Sequence, residues 1–439
     1  MPITFLHFSD VHLGYQQYGD RERFNDFGRA FLKAVDFAVA KQVDFVLISG
    51  DLFHKSAIDP PTLLQAVNGI DRLRNAGISV VAIAGNHDRA KYRDRYSWLD
   101  YLAERDYITL LSPSFEEDGI VLQPWDGHAG AYVDYGTVRV IGVPYLGSSI
   151  KTVVAELPPA LDAIRDKNVH FTILMMHAGL EGEMLHVTGE LTQNELSSLR
   201  EHIDYLALGH FHKPFERQDW IFNPGSLETC GMDERRWIGG SYYVTVDADN
   251  DPMHTFRHIK SSRRPFHRLS IKVDEYKEPV TLYDGIRASL DNGIFQWTQE
   301  DQKPVVEINL EGILGFDRGN LDLKFIEELV KESISPLLVR VKNNSRPVEF
   351  EISTSEHHTR PQLERGILQD LIRRDSRFRG AAEQLADLMV QVKEMALIGS
   401  APEIIVETVR QGLPATEIAV TETAGAEEGY PRCGSHKSS

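Results

Sequence analysis

Five apolar segments of strand-like length, each followed closely by Asp, Asn or His, constrain this chain more than any other feature. The segments are residues 3–9, 43–48, 78–83, 170–176 and 203–208, and the polar residues after them are Asp10 and His12, Asp51, Asn86 and His87, His177, and His210 and His212. Residues 21–42 and 60–77, which lie between the first three of these segments, carry apolar side chains at helical spacing. This alternation of strands and helices predicts an α/β fold with parallel strands. Because carboxyl ends of parallel strands meet at one edge of a sheet, we expect the five sets of side chains to converge.

This convergence would gather carboxylates, imidazoles and one amide, without a thiolate. Such donors favour manganese, iron or zinc in a reactive centre rather than a structural zinc site. There are too many donors for one ion, and Asp51 is the natural bridge, since its two oxygens can hold ions about 3.5–4 Å apart, the spacing for displacement at phosphorus. The alternative is a set of hydrogen-bonded strand ends that bind nothing, and the joint occurrence of all five argues against it.

The composition is that of an acidic globular chain. A net charge of −18 over 439 residues excludes a generic nucleic-acid coat, so contact with DNA has to come from local basic patches or metal ions. No apolar run approaches membrane-spanning length, and the N-terminus enters a strand without a basic leader. The two cysteines, Cys230 and Cys433, have no CxxC neighbour, which predicts a reducing, cytoplasmic location.

Shifts in composition predict four parts: 1–260, 261–355, 360–413 and 414–439. The first contains all the motifs above. Between Asp251 and Asp274 there is no acidic residue but there are several arginines, and this stretch sets the boundary after residue 260. A β-α-β-α-β-β order then indicates a small α/β domain, and apolar stripes after Pro361 indicate helices. The last part has no periodicity and is predicted to be disordered.

Together the motifs resemble the signature of the calcineurin-like metallophosphoesterases, which is DxH, GDxx, GNHD/E, H and GHxH. In this chain they are Asp10-Val-His12, Gly50-Asp51, Gly85-Asn86-His87-Asp88, His177 and Gly209-His210-Phe-His212. The resemblance implies two stacked β-sheets flanked by helices. It also implies that one ion binds Asp10, His12, Asp51 and His212, and that a second binds Asp51, Asn86, His177 and His210.

Within this superfamily the chain resembles the SbcD-type nuclease subunits of DNA double-strand-break repair. The similar segments are Phe8-Ser-Asp-Val-His-Leu-Gly14, Gly50-Asp-Leu-Phe-His54, Asn223-Pro-Gly-Ser226 and the basic junction Arg263-Arg-Pro-Phe266. The resemblance extends to about Leu413. It implies that the small α/β domain caps the active site and contacts DNA, and that the helices of 360–413 bind the coiled-coil base of an SMC-like ATPase. It further implies a homodimer that pairs through residues 92–102 and 63–73.

Three residues beside the expected ligands are candidates for catalysis: His87, His54 and Asp88. His87 directly follows a ligand, so we expect it at the mouth of the site as a general acid or a stabiliser of transition-state charge. Asp88 would pair with His87 and orient its ring, although such a pair could also serve only to shape the loop. His54 is expected to contact a backbone phosphate, and the alternative is an ordinary solvent-exposed histidine.

Two groups of basic residues are predicted to hold DNA phosphates. They are Arg89, Lys91, Arg93 and Arg95 after the third motif, and Arg263, Arg264 and Arg268 at the domain junction. Such contacts give sequence-independent, salt-sensitive binding, whereas the alternative is solvated surface charge. The apolar stripes of 360–413 are ambiguous in the same way, but this segment is too short to bury much by itself, which favours a partner-binding surface.

The sequence therefore predicts a manganese-dependent DNA exonuclease and endonuclease with two metal ions. One alternative is a phosphatase or nucleotide phosphodiesterase that uses the same ligands, and the capping domain and basic junction disfavour it. A second alternative is a scaffold that tethers DNA ends and cleaves them only secondarily. The completeness of the ligand set argues against a purely non-catalytic role.

Overall fold

The computed structural model describes residues 2–90, 96–183, 190–247, 250, 252–291, 302–347, 360–373 and 378–413. The chain divides into two compact units, Met1–Val348 and Glu349–Ser439. None of the helices in the described ranges combines the length and apolar character needed to cross a membrane.

The first of two large sheets carries the first three motifs. Its described strands, in spatial order, are β14 (His254–Lys260), β13 (Gly240–Val246), β1 (Ile3–Phe8), β2 (Phe45–Ile48), β3 (Ser79–Ala82) and β4 (Thr109–Leu110). Strands β1 to β4 are parallel, and Phe8 lies opposite Ile48, which lies opposite Ala82. The carboxyl ends of β1, β2 and β3 therefore lie side by side.

The second large sheet carries the other two motifs. Its described strands are β11 (Phe215–Arg217), β12 (Ile221–Asn223), β10 (Tyr205–Gly209), β9 (Phe171–His177), β8 (Val138–Val143) and β7 (Tyr132–Tyr135). Strands β9 and β10 are parallel, with His177 opposite Gly209. The expectation that all five motifs share one sheet edge was wrong. Three motifs follow strands of the first sheet, and the other two follow strands of the second. The two-sheet architecture implied by the resemblance is confirmed.

An apolar layer between the two sheets brings their edges together. Phe5 stacks on Phe45 in the first sheet with ring centroids 5.3 Å apart, and Tyr205 stacks on Phe222 in the second at 4.2 Å. Phe5 also meets Tyr205 edge to face at 5.3 Å, which joins the two sheets in one core. All four side chains are buried, and each contributes roughly 1.5–3 kcal/mol of transfer free energy. Strands covered on both faces are apolar along their whole length, which explains the unbroken runs in the sequence.

Helices cover the outer faces of both sheets. The described helices of this part are α1 (Arg21–Lys41), α2 (Pro60–Asn75), α3 (Trp98–Glu104), α4 (Ile150–Ala163) and α5 (Gln193–Ser197). Buried residues of α1, α2 and α3 share one core with the first sheet, and those of α4 and α5 share another with the second. Asp20 starts α1 by accepting hydrogen bonds from the amides of Glu22 and Arg23. A hairpin of β5 (Ser114–Glu116) and β6 (Gly119–Val121) completes this part.

A smaller α/β region follows β14. Its described elements are β15 (Phe266–Lys272), α6 (Pro279–Asp291), β16 (Val305–Glu311), β17 (Ile313–Leu314), α7 (Leu323–Ile334), β18 (Leu338–Asn343) and β19 (Arg346–Pro347). Strands β15, β16 and β18 form a parallel sheet, and Ile308 packs with Ile286 of α6 and Ile326 of α7 in a core of its own. This is the small α/β region that the sequence predicts.

The second unit contains three described helices: α8 (Arg360–Arg373), α9 (Ala382–Leu397) and α10 (Pro402–Gly412). Ion pairs join α8 to α9, between Arg365 and Asp387 and between Glu364 and Lys393. The helical C-terminal segment is thus confirmed. The predicted disordered tail, 414–439, lies outside the described residues.

Candidate metal centre

The loops after β1 and β2 run side by side and bring Asp10, His12 and Asp51 together. The amide of Asp10 donates to the carbonyl of Gly50 at 3.1 Å, and the amide of His12 donates to that of Asp51 at 3.1 Å. Asp10, His12 and Asp51 have φ angles of 52°, 51° and 54°. A left-handed conformation costs a non-glycine residue about 1–2 kcal/mol, and residues held in it cluster at functional sites.

Two glycines of the motifs allow the closest approaches in the site. A Cβ atom at Gly85 would lie 2.1 Å from Oδ1 of Asp51, and one at Gly50 would lie 2.2 Å from Nδ1 of His177. Neither position has room for a side chain. The glycines before Asp51 and Asn86 are therefore required by packing inside the site, which is a physical reason for the GD and GN pairs.

One group of side chains gathers around Asp10. Nε2 of His212 lies 3.8 Å from Oδ1 of Asp10, and Nε2 of His12 lies 4.0 Å from the same oxygen. The two Nε2 atoms are 3.0 Å apart, and Nε2 of His12 is 3.9 Å from Oδ2 of Asp51. The structure thus brings together four residues from three of the predicted motifs.

A second group gathers around Asn86. Its Oδ1 lies 3.1 Å from Nε2 of His177 and 3.0 Å from Nδ1 of His210. Nε2 of His177 is 3.4 Å from Oδ2 of Asp51, so this oxygen faces both groups. Oδ1 of Asp51 accepts the amide hydrogen of His87 at 2.9 Å. A single oxygen of Asp51 is thus the atom that both groups share, and the role of Asp51 as the bridge between two ions stays a prediction.

Outer hydrogen bonds fix several of these side chains, and the motifs did not reveal them. The carbonyl of Ser49 accepts from Nδ1 of His177 at 2.7 Å, and Glu234 Oε1 accepts from Nδ1 of His212 at 2.8 Å. Each bond fixes the orientation of the ring so that Nε2 points into the site, and it holds the proton of the neutral imidazole on Nδ1. Ser9 donates to Oδ2 of Asp10 at 2.6 Å. Glu234 lies far from every motif, and only the folded chain reveals its role.

The donor geometry fits a divalent ion. Oδ1 of Asp10 is buried and accepts no hydrogen bond from the described residues. A buried anionic oxygen without a donor is costly, and a bound cation would remove that cost. Two nitrogens that each lie about 2.1 Å from one ion are roughly 3.0–3.4 Å apart. The 3.0 Å between the Nε2 atoms of His12 and His212 agrees with this spacing.

The pKa values of Asp51 and His177 also indicate that this site favours positive charge beside Asp51. Burial by itself would raise the pKa of Asp51, but the adjacent His177 imidazole outweighs it and holds that pKa well below its usual value. Burial lowers the pKa of His177, while Asp51 more than compensates and raises it to about 9. The imidazolium proton thus supplies the positive charge that Asp51 requires, and metal binding would replace that proton.

Comparisons with known proteins identify the family. Residues 3–214 match the family model described as calcineurin-like phosphoesterase. Three similar proteins carry the name DNA double-strand break repair protein Mre11. The protein of Saccharolobus solfataricus is 27% identical, and the match covers 89% of this chain and 94% of the relative. The protein of Archaeoglobus fulgidus is 31% identical, with 79% of this chain and 70% of the relative covered. The protein of Methanosarcina mazei is 39% identical, with 77% of this chain and 52% of the relative covered. The chain belongs to the Mre11 family. The resemblance to SbcD-type nuclease subunits is confirmed at this level.

In this Mre11-family chain, the structure corrects the expected pairing of His87 with Asp88. Asp88 is buried and accepts hydrogen bonds from the amides of Phe53 at 2.9 Å and Gly85 at 3.0 Å. Burial and the nearby Asp51 raise the pKa of Asp88 to about 7. Its carboxyl group therefore ties the loop after β2 to the loop after β3. The ring of His87 is oriented instead by the carbonyl of His54, which accepts from Nδ1 at 2.7 Å.

His54 lies at the entrance to the first group and is half-buried. Its ring stacks on Tyr15 with centroids 3.8 Å apart, and it lies 5.3 Å from the ring of His87. Burial lowers the pKa of His54 to about 4. The stacked, half-buried position differs from the alternative of an ordinary solvent-exposed histidine. Its contact with a DNA phosphate stays a prediction.

The three arginines of the junction form hydrogen bonds and ion pairs with other residues of this chain. Arg264 is buried and its Nε lies 2.5 Å from Oδ2 of Asp26, while Arg268 Nε lies 2.6 Å from Oε1 of Glu307. Arg263 donates to Oγ of Ser226 at 3.0 Å. That these three bind DNA stays a prediction, and it now requires these interactions to open. Arg89 is exposed, whereas Lys91, Arg93 and Arg95 lie outside the described residues.

Proposed function

We propose that this protein is a two-metal DNA nuclease that acts at double-strand breaks. The observation that carries the proposal is the shared oxygen of Asp51, which lies 3.9 Å from Nε2 of His12 and 3.4 Å from Nε2 of His177. Such an oxygen can bridge two ions, the arrangement used for in-line displacement at phosphorus. The name of the relatives, DNA double-strand break repair protein Mre11, supports DNA ends as the substrate.

The proposed ligand sets follow the two groups of the structure. One ion would be held by Asp10, His12, Asp51 and His212, and the other by Asp51, Asn86, His177 and His210. Oxygen and imidazole donors suit Mn²⁺. When bound, the two ions neutralise phosphate charge and supply an activated water as nucleophile.

The protein's own residues position the substrate and move a proton. The Nδ1 hydrogen of His87 is committed to the carbonyl of His54, so proton exchange with the leaving oxygen takes place at Nε2. Asp88 holds the two loops that carry His54 and His87 at a fixed separation. His54, stacked on Tyr15, offers a second imidazole edge toward a backbone phosphate.

A cleavage assay on end-labelled duplex DNA tests the proposal. The full-length protein should cleave with Mn²⁺ and should not cleave with chelator, and Asp51→Ala should be inactive under both conditions. The same preparations should be assayed on a phosphomonoester and on a phosphodiester of the same leaving group. Hydrolysis of the monoester with intact DNA would contradict the nuclease and favour the phosphatase alternative. Tight end-binding by a protein that cleaves neither would favour the tethering scaffold.

An SMC-like ATPase is the proposed partner of the helical unit. Leu397 and Ile398 at the end of α9 are 76% and 80% exposed, and Ile404 on α10 is 56% exposed. Apolar side chains at this exposure suit a surface that is buried against a helical partner. Leu397→Asp should abolish co-elution with the coiled-coil base of such an ATPase, whereas Ala401→Asp, which adds the same charge nearby, should not. Equal co-elution of both variants would contradict the assignment.

A homodimer is the second proposed association. Leu64 on α2 is 59% exposed, and it falls in one of the two segments that the resemblance assigns to dimerisation. Light scattering of the full-length protein should give the mass of two chains, and Leu64→Asp should reduce it to one. A monomeric wild-type protein would contradict this part of the proposal.

A further inference from the structure

A thiol lies beside the first group of proposed ligands. Sγ of Cys230 lies within 4.8 Å of a ring nitrogen of His12 and of a ring nitrogen of His212, and these two nitrogens also lie within 4.8 Å of each other. Cys230 is partly exposed and is not in a disulfide. Its Sγ makes a long hydrogen bond to the carbonyl of Glu228 at 3.6 Å, and the thiol also interacts with the imidazole of His212. A thiol is a weak donor and a weak acceptor, so these bonds leave the sulfur available to a stronger partner.

The fold holds Cys230 at this position through Glu234. The backbone amide of Cys230 donates to Oε2 of Glu234 at 2.8 Å. Oε1 of the same carboxylate accepts from Nδ1 of His212 at 2.8 Å. One carboxylate therefore sets both the thiol-bearing residue and the imidazole that faces it, and the proximity of sulfur and nitrogen is a built feature of the site.

Asp10 gives an independent indication that a cation belongs here. Its Oδ1 is fully buried, lacks a hydrogen-bond donor among the described residues, and lies 3.8 Å from Nε2 of His212 and 4.0 Å from Nε2 of His12. His12 and His212 therefore lie close both to Sγ of Cys230 and to Oδ1 of Asp10. Sulfur, imidazole nitrogen and carboxylate oxygen are the donors that zinc binds in proteins.

We propose that Cys230 is an additional metal ligand that makes this half of the centre selective for a thiophilic divalent ion such as zinc or cadmium. The inference rests on the proposed function only in placing an ion between His12 and His212. Binding converts the thiol to a thiolate and releases one proton to solvent. Zinc exceeds manganese in affinity for nitrogen and sulfur donors, so zinc displaces manganese from this half and inhibits a manganese-dependent reaction.

Cadmium titration of the full-length protein tests the sulfur directly, without reference to activity. Cadmium bound to a thiolate gives an ultraviolet charge-transfer band, and the wild-type protein should develop this band and saturate with one ion. Cys433→Ser, which removes the other cysteine of the chain, should behave like the wild type. Cys230→Ser and Cys230→Ala should lack the band while keeping the wild-type circular dichroism. A band retained by folded Cys230→Ser, or absent from the wild type, would overturn the inference.

Competition between zinc and manganese measures the selectivity. Free Mn²⁺, followed by its paramagnetic resonance signal, should be released from the wild-type protein by roughly 10- to 100-fold less zinc than from Cys230→Ser, since loss of even an outer ligand partner weakens metal binding by that factor. Equal release from both proteins would refute the role of Cys230. A cadmium band in a protein that never cleaves DNA would refute the nuclease but keep the thiol ligand. If the protein cleaves DNA but zinc releases Mn²⁺ equally from the wild type and Cys230→Ser, the nuclease is supported and the thiol ligand is refuted.

Discussion

Two buried clusters of charge in this protein have opposite character. The first is the candidate metal centre around Asp10 and Asp51. The second, which we call the arginine cluster, consists of Arg23, Asp26, Glu228 and Arg264, and each of its side chains is at most 4% exposed. In the arginine cluster, cations and anions pair directly: Arg23 with Asp26 at 2.5 Å and with Glu228 at 3.2 Å, and Arg264 with Asp26 at 2.5 Å.

The difference between the clusters separates structure from function. The arginine cluster has two guanidinium groups for two carboxylates, and it connects α1 to the chain just before β15. The candidate metal centre instead contains a buried carboxylate oxygen that has no hydrogen-bond donor among the described residues, and imidazoles whose Nε2 atoms face one another. Charges that satisfy each other hold a fold together, whereas charges left unsatisfied after folding are stabilised when a cation binds between them.

The largest effect should come from the shared carboxylate. Asp51→Asn keeps the shape of the side chain but removes the charge that both groups face, so DNA cleavage should fall to the level of metal-stripped protein. Metal content by mass spectrometry and cleavage of labelled duplex would show this. Asp59→Asn is the matched control, because it makes the same change at the exposed N-cap of α2, where Asn caps equally well. Normal metal content in Asp51→Asn would show that the charge of Asp51 is not needed to bind the ions, and would contradict the contrast between the two clusters.

Removal of the proposed proton donor should come next. His87→Ala should lower the cleavage rate by about 10²- to 10⁴-fold, the usual contribution of general acid–base catalysis, with DNA and Mn²⁺ affinity retained. His128→Ala, at an exposed position, is the control. Single-turnover cleavage and filter binding separate rate from affinity. A rate within twofold of wild type would remove His87 from the mechanism.

The arginine cluster should respond in stability and not in metal binding. Asp26→Asn leaves two buried guanidinium groups short of a partner and should lower the free energy of unfolding by about 3–5 kcal/mol. Asp36→Asn on the same helix breaks only an exposed pair with Arg72 and should cost about 0–1 kcal/mol. Urea denaturation provides the measurement. Equal losses in the two variants would show that burial does not distinguish the pairs.

The same cluster predicts a dependence on pH. Burial opposes the ionised form of Asp26, but the hydrogen bond and charge of Arg264, with the charge of Arg23, hold its pKa below the ordinary 3.8. A lowered pKa in the folded state gives stability above the unfolded pKa that is lost as pH falls. The stability difference between wild type and Asp26→Asn should therefore shrink from about pH 5 to about pH 3. A constant difference across that range would contradict the ionised pair.

The smallest effect should come from an outer partner of the centre. Glu234→Gln weakens the hold on Nδ1 of His212 and should lower Mn²⁺ affinity by roughly 10- to 100-fold, measured by titration calorimetry. Asp233→Asn changes the adjacent residue, whose carboxylate is 86% exposed, and should leave affinity unaltered. If both variants bind Mn²⁺ like the wild type, the hydrogen bond to His212 does not tune the metal.

Much of the fold and of the candidate site could be read from the sequence. Unbroken apolar runs that end in Asp, Asn or His specify buried strands with polar carboxyl ends, and this information is local. The arginines of the junction show the limit. Arg264 is separated from Asp26 by more than half the chain, and its composition context indicated a free basic patch until the fold placed the two side chains in contact.

The sequence by itself determined the donor types and the strands that carry them, because both depend on residues within a few positions of each other. Tertiary structure decided the rest. It distributed the motifs over two sheets, gave both groups one oxygen of Asp51, moved Asp88 away from His87, and brought Glu234 and Cys230 to His212. These relations join residues that are distant in sequence, and no local pattern encodes the packing of one sheet against another.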